Sequence, residues 1–157
     1  MKELTITTPI IEATLDELSA EDRALVEEAR RQTATSYAPY RRFHVGAAIR
    51  LDNGEIVAGS NQENAAFPSG LCAERTAAFY AHARYPEAKF ETIAIAAVGT
   101  DGLELRDPIA PCGACRQSLL EYETLATHDV RVILTARDRV FILPSVRSTL
   151  PLAFSEF

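Results

Sequence analysis

The three cysteines of this 157-residue chain stand in two short segments far apart in sequence, Cys72-Ala73-Glu74 and Pro111-Cys112-Gly113-Ala114-Cys115. An odd number of thiols cannot all pair within one chain. A C-x-x-C in a chain with no secretory leader reads as metal-binding rather than as a disulfide. One zinc ion accounts for all three sulfurs, provided that the fold brings the two segments together. Structural zinc is normally closed by four protein ligands, whereas catalytic zinc keeps three and leaves one position for water. Three cysteines therefore suggest an open site. With Cys112 and Cys115 on the first turn of a helix, the i,i+3 spacing puts both sulfurs on one face, and a second helix beginning near Cys72 brings in the third. The partial positive charge at helix starts favours thiolate over thiol.

Glu74 lies two residues from a ligand. A zinc-bound water needs a base to take its proton and an acid to return it, and Glu74 is the candidate for both tasks. The plainer account is an acidic residue in the first turn of a helix, where such residues are common. Two other readings of the cysteines stay open at this level. A closed structural site would need a histidine as fourth ligand, with His82 the candidate, and a thiol redox centre would leave Cys72 without a task. His44, His82 and His128 fall in no motif and read as solvated or structural.

The length suits one domain, and 47% hydrophobic residues suffice for a packed core. A net charge of -6 argues against an electrostatic grip on phosphate backbones, so the expected partner is a small molecule and not nucleic acid. No apolar run approaches membrane-spanning length, and the start of the chain leads into no apolar leader segment. The expected setting is cytoplasmic, with no membrane partner.

Residues 1–18 carry no motif and read as an N-terminal extension, either a tail or an edge strand on a neighbour. Ser19 followed by Asp22 imitates a capping box and opens a first helix ending near Thr35. Phe43, Val45, Ala47, Ile49 and Leu51 alternate with polar or small residues, which predicts a strand, and Asp52-Asn53-Gly54 turns it into a hairpin with Ile56-Val57-Ala58. A polar loop, Asn61-Gln62-Glu63-Asn64, leads toward a helix from Cys72 to about Arg84. Ile93 to Val98 predicts a central strand covered on both faces. A second cysteine helix runs from Cys112 to about Tyr122. The last two strands, Val130 to Thr135 and Val140 to Leu143, are joined by four residues and must be antiparallel. The expected fold is α/β, a three-layer α-β-α arrangement around a five-stranded mixed sheet, with residues 19–157 as the catalytic domain.

The motifs together closely resemble cytidine deaminases of the small, zinc-dependent homotetrameric type. Tyr37-Ala38-Pro39-Tyr40 with Phe43 and Val45-Gly46-Ala47-Ala48, then Asn61 with Glu63-Asn64-Ala65, Cys72-Ala73-Glu74-Arg75, Pro111-Cys112-Gly113-Ala114-Cys115-Arg116-Gln117, and the closing Leu150-Pro151-Leu152-Ala153-Phe154 carry the resemblance. It implies one zinc ion per subunit held by Cys72, Cys112 and Cys115. It also implies a hydrolysis in which Glu74 takes a proton from the attacking water, passes it to N3 of cytosine and then protonates the departing amine. Cytidine and 2'-deoxycytidine would give uridine and 2'-deoxyuridine plus ammonia, a step of pyrimidine salvage.

By the same resemblance, Asn61 and Glu63 hydrogen-bond the ribose, chiefly at its 3'-hydroxyl. Phe43 and Ala73 line the nucleoside, and Phe154 reaches it from a neighbouring subunit. Arg75 hydrogen-bonds the thiolates and draws charge from them, a role for which Arg116 has the weaker claim. Two positions depart from the family pattern: Arg41 stands where Ser is common and Phe67 where Tyr is common. Rival substrates are another cytosine-bearing molecule, as in the blasticidin type, or a polynucleotide. The polynucleotide branch tends to place a helix between the last two strands, where this chain has room only for a turn.

Overall fold

The period-two alternation in the middle of the chain sorts side chains to two faces, and helices cover both. The computed structural model describes residues 1–155. In chain order the elements are β1 (Ile11–Ala13), α1 (Ala20–Gln32), β2 (His44–Leu51), β3 (Ile56–Ser60), α2 (Ala73–Arg84), β4 (Phe90–Val98), α3 (Gly113–Ala126), β5 (Arg131–Thr135) and β6 (Val140–Leu143). The strands form one sheet in the order β1-β6-β5-β4-β2-β3. β4 and β5 pair in parallel, with α3 as their crossover, and the other pairings are antiparallel.

The sheet has six strands, one more than the sequence pattern predicts. The additional strand is β1, in which Ile11, Glu12 and Ala13 lie opposite Ile142, Phe141 and Val140. Three residues are too few to show a period, and Pro9 just before them argues against a strand. The pairing is made on this chain's own sheet and not on a neighbour's. Glu12 supports it through an ion pair with Arg139 at 2.9 Å.

Alternate residues of each central strand go to opposite layers. Ala47, Ile49, Ile93, Ile95, Val132 and Leu134 pack under α2 and α3. Ala48, Ala94, Ala96 and Ile133 pack under Leu25, Val26 and Ala29 of α1. The three-layer expectation is met. α1 starts where Ser19 Oγ accepts the Asp22 amide at 3.1 Å, and it gives way after Gln32 to a 3-10 turn over Thr33–Thr35. α3 runs a turn beyond the predicted end at Tyr122 and stops at Thr127, whose left-handed φ of 62° closes it.

The packing of α2 on β3 sets the height of the candidate site above the sheet. Gly59 makes this close approach possible, because a Cβ there would stand 2.8 Å from the Ala77 amide nitrogen. Gly59→Ala is expected to push α2 outward and to lower stability by roughly 1–3 kcal/mol. A urea unfolding midpoint unchanged from wild type would show that the helix yields without cost.

Candidate active site

β4 places both cysteine helices. α2 leads through a short loop into the start of β4 and α3 follows its end, so both helices begin beyond the same end of that strand. Cys72 and Cys112 are the N-cap residues of α2 and α3, each with extended backbone, and Cys115 lies in the first turn of α3. Cys72 Sγ is 3.8 Å from Cys112 Sγ, and Cys112 Sγ is 3.4 Å from Cys115 Sγ. All three sulfurs lie within 4.8 Å of one another.

Tetrahedral coordination at about 2.3 Å per sulfur needs sulfurs about 3.8 Å apart, so the donor set fits a zinc ion held by three thiolates. Cys72 has its pKa pulled down to about 5, first by the thiol of Cys115, against the opposing effect of burial, and further by Arg75. Cys115 is pushed the other way, because its thiol serves Cys72 and is itself buried. Arg75 Nη2 lies 3.6 Å from Cys72 Sγ, and Arg75 Nε is buried without a hydrogen-bond partner. That cation faces sulfurs that carry excess negative charge once all three are deprotonated.

His82 takes no part in this cluster. It stands ten residues beyond Cys72 on α2, about 15 Å along the axis, and its ring lies against Tyr122 at 5.5 Å. The closed structural site is therefore excluded among the described residues, since the metal-binding group consists of the three cysteines alone. Arg116 is likewise directed elsewhere. Its Nε donates to the Pro111 carbonyl at 2.8 Å and its Nη1 to the Thr149 carbonyl at 3.0 Å.

A cavity of about 400 Å³ opens beside the sulfurs. Glu74 and Ala73 line it from the first turn of α2, and Phe43, Asn61 and Glu63 line it from the other side. Glu74 is only 5% exposed, and burial pushes its carboxyl pKa up, with the negative charge of Cys72 adding to the effect. A carboxyl so placed holds a proton more readily than one in water, which suits a group that takes and returns protons.

The opposite wall is built by the loop hydrogen bonds. Asn61 Oδ1 accepts from the Val45 amide at 2.7 Å and from Ser36 Oγ at 2.5 Å, while Asn61 Nδ2 donates to the Phe43 carbonyl at 2.9 Å. Both lone pairs of the amide oxygen are engaged, and one N–H remains to be offered. Glu63 Oε2 accepts from the Tyr40 amide at 2.8 Å and the Arg41 amide at 3.3 Å. Glu63 Oε1 has no protein partner among the described residues.

Lining residues that escaped the sequence pattern include Gly70 and Leu71 before Cys72, and Ile109 and Ala110 just before Pro111. An apolar Ile109 after Asp107-Pro108, in a segment without regular structure, was the available signal. Phe154 is 71% exposed and does not line this cavity, and its carbonyl accepts from Gln117 Nε2 at 2.8 Å.

Residues 19–128 match the family model described as the cytidine and deoxycytidylate deaminase zinc-binding region. A cytidine deaminase of Halalkalibacterium halodurans is 41% identical over 110 residues, 70% of this chain and 76% of that protein. A cytidine deaminase of Sporosarcina psychrophila is 36% identical over 132 residues, covering 84% and 90% of the two chains. Among solved structures, cytidine deaminase from Burkholderia pseudomallei superposes with a TM-score of 0.70 at 36% identity, covering 87% of this chain and 100% of that one. The enzyme from Mycobacterium tuberculosis gives 0.67 at 30% identity, covering 88% and 100%.

Removing one sulfur should abolish stable metal binding, whereas removing the cation beside the sulfurs should only weaken it. Cys115→Ser is expected to leave little zinc in the purified protein, and Arg75→Gln to lower zinc affinity about 10- to 100-fold in competition with a chelating dye. Stoichiometric zinc in Cys115→Ser would contradict the three-sulfur site.

Proposed function

The chain belongs to the cytidine deaminase family, and on that premise we propose that it hydrolyses cytidine and 2'-deoxycytidine to uridine and 2'-deoxyuridine with release of ammonia. The observation that carries this reading is Glu74, a buried carboxyl on the wall of a nucleoside-sized cavity beside three converging sulfurs. Zinc bound by Cys72, Cys112 and Cys115 supplies a Lewis acid that makes a water molecule reactive near neutral pH.

Glu74 takes the proton of the attacking water and passes it to N3 of the cytosine ring, which leaves C4 open to attack. It then carries a proton to the departing amine, so one water is consumed and one ammonia released. Arg75 lowers the charge on the sulfurs. Asn61 and Glu63 suit a single sugar hydroxyl, since the remaining Asn61 N–H donates to its oxygen and Glu63 Oε1 accepts its proton. With that grip on the 3'-hydroxyl, the presence or absence of a 2'-hydroxyl matters little. Phe43 and the small Ala73 shape the base end of the cavity.

The reading extends to a cytoplasmic enzyme of pyrimidine salvage, a setting that keeps its three free thiols reduced. Its catalytic unit is residues 19–157, with residues 1–18 as an extension. Among the described residues no helix is long and apolar enough to cross a membrane. The antiparallel hairpin of β5 and β6 supports a nucleoside over a polynucleotide substrate.

The assembly in this reading is a homotetramer, with Phe154 of one subunit completing the site of the next. Exposed Tyr37, Phe67, Phe79 and Tyr80 provide apolar surface for such contacts.

Glu74→Gln is expected to lower kcat/KM for cytidine about 10²- to 10⁴-fold with zinc content unchanged, as followed by ultraviolet absorbance and metal analysis. A variant that keeps most of its turnover would remove Glu74 from the chemistry. Phe154→Ala is expected to raise KM several-fold with a smaller change in kcat. Wild-type protein that sediments as a fully active monomer at the assay concentration would overturn the shared site.

A further inference from the structure

Arg41 lines the cavity, and among the described residues its guanidinium has no carboxylate within ion-pairing distance. Its side chain lies over the Phe67 ring, 5.8 Å from guanidinium carbon to centroid. Most other arginines of the chain are held by carboxylates, by backbone carbonyls or, for Arg75, by sulfur. Arg41 is solvent-exposed and stands on the wall of a cavity that also contains Glu63 and Glu74, so its guanidinium is available to an anionic ligand.

The backbone fixes which end of the cavity Arg41 serves. Its amide donates to the same Glu63 oxygen as the Tyr40 amide. The next residue, Arg42, has a φ of 53° and donates its amide to the Ala38 carbonyl at 3.0 Å, closing a tight turn. A left-handed conformation at a residue other than glycine costs about 1 kcal/mol or more, and such residues gather at ligand-holding turns. This turn sets the Arg41 backbone beside Glu63, and its guanidinium lies against Phe67 on the same cavity wall.

We infer that Arg41 is a specificity-determining residue that receives an anionic substituent, phosphate or carboxylate, carried on C5' of a cytosine nucleoside. The inference rests on the cytidine reading above. With Asn61 and Glu63 on the 3'-hydroxyl and the 2' position empty in a 2'-deoxynucleoside, the 5' position is the one that can carry an anion to Arg41 in both substrates. A guanidinium offers paired N–H donors that match either oxyanion, whereas a serine hydroxyl offers one neutral donor. Without that cation, Glu63 and Glu74 would repel an anionic ligand.

The test compares zinc-loaded wild type, Arg41→Ser and Arg41→Lys on three compounds: cytidine, cytidine 5'-monophosphate and cytidine 5'-carboxylate. Wild type is expected to deaminate at least one of the anionic compounds, and which one identifies the substituent. In Arg41→Ser the ratio of kcat/KM for that compound to kcat/KM for cytidine falls about 10- to 100-fold, mainly through KM, and Arg41→Lys restores part of it. Inhibition by the corresponding uridine product gives the same ordering without turnover. If cytidine is deaminated and neither anionic compound is, the inference fails while the family activity stands. No turnover of cytidine would overturn the reading beneath it and the inference together. A ratio unchanged in Arg41→Ser, with a shift in sedimentation, would make Arg41 a contact between copies and overturn the inference.

Discussion

Three sulfurs from two distant segments must converge within a few ångströms, and the rest of the structure follows from how that is done. The central strand β4 solves it by being the element that α2 precedes and α3 follows. Both helices therefore start beyond the same end of the strand, and their N-cap positions bring Cys72 and Cys112 together. The N-terminal ends of two helices, with Arg75, concentrate positive potential where the thiolates are needed. The same geometry leaves Glu74 buried in the first turn of α2, a helix that packs closely on β3 at Gly59.

Burial gives the two carboxylates of the cavity different characters. Glu74 is shut away from water, so its proton is held more tightly and becomes available for transfer. Glu63 is only half-buried and has one oxygen anchored by the amides of Tyr40 and Arg41, which leaves it oriented as an acceptor. Asn61 is anchored more completely still, by three hydrogen bonds that leave only a donor toward the cavity. In the proposed reading, a donor and an acceptor held in place by these bonds suit a sugar hydroxyl, with no need for a flexible side chain to find its place.

Much of this was legible in the residues. The alternation of β2 gave a strand at nearly the observed bounds. The buried run of β4 gave a strand with the right end but a start at Ile93 where the structure begins at Phe90, because the exposed Glu91 and the polar Thr92 interrupt the apolar run. The cysteine spacing gave the metal group, because a soft divalent ion accepts few donor sets. β1 was not legible: three residues contain no measurable period, and their pairing depends on where the edge of β6 lies. Ile109 and Ala110 were not legible either, since a loop in contact with a ligand cavity has no periodicity to betray it.

The sequence by itself determined the chemistry, namely which side chains can hold a zinc ion and which carboxyl stands beside it, because ligand type and local spacing are properties of short segments. Tertiary structure alone decided what those groups experience. The removal of His82 from the cluster, the burial that raises Glu74, the single N–H left on Asn61 and the unpaired charge of Arg41 all depend on residues that meet only when the sheet closes. Solvation and hydrogen-bond partners are set by three-dimensional neighbours, and a linear pattern does not contain them.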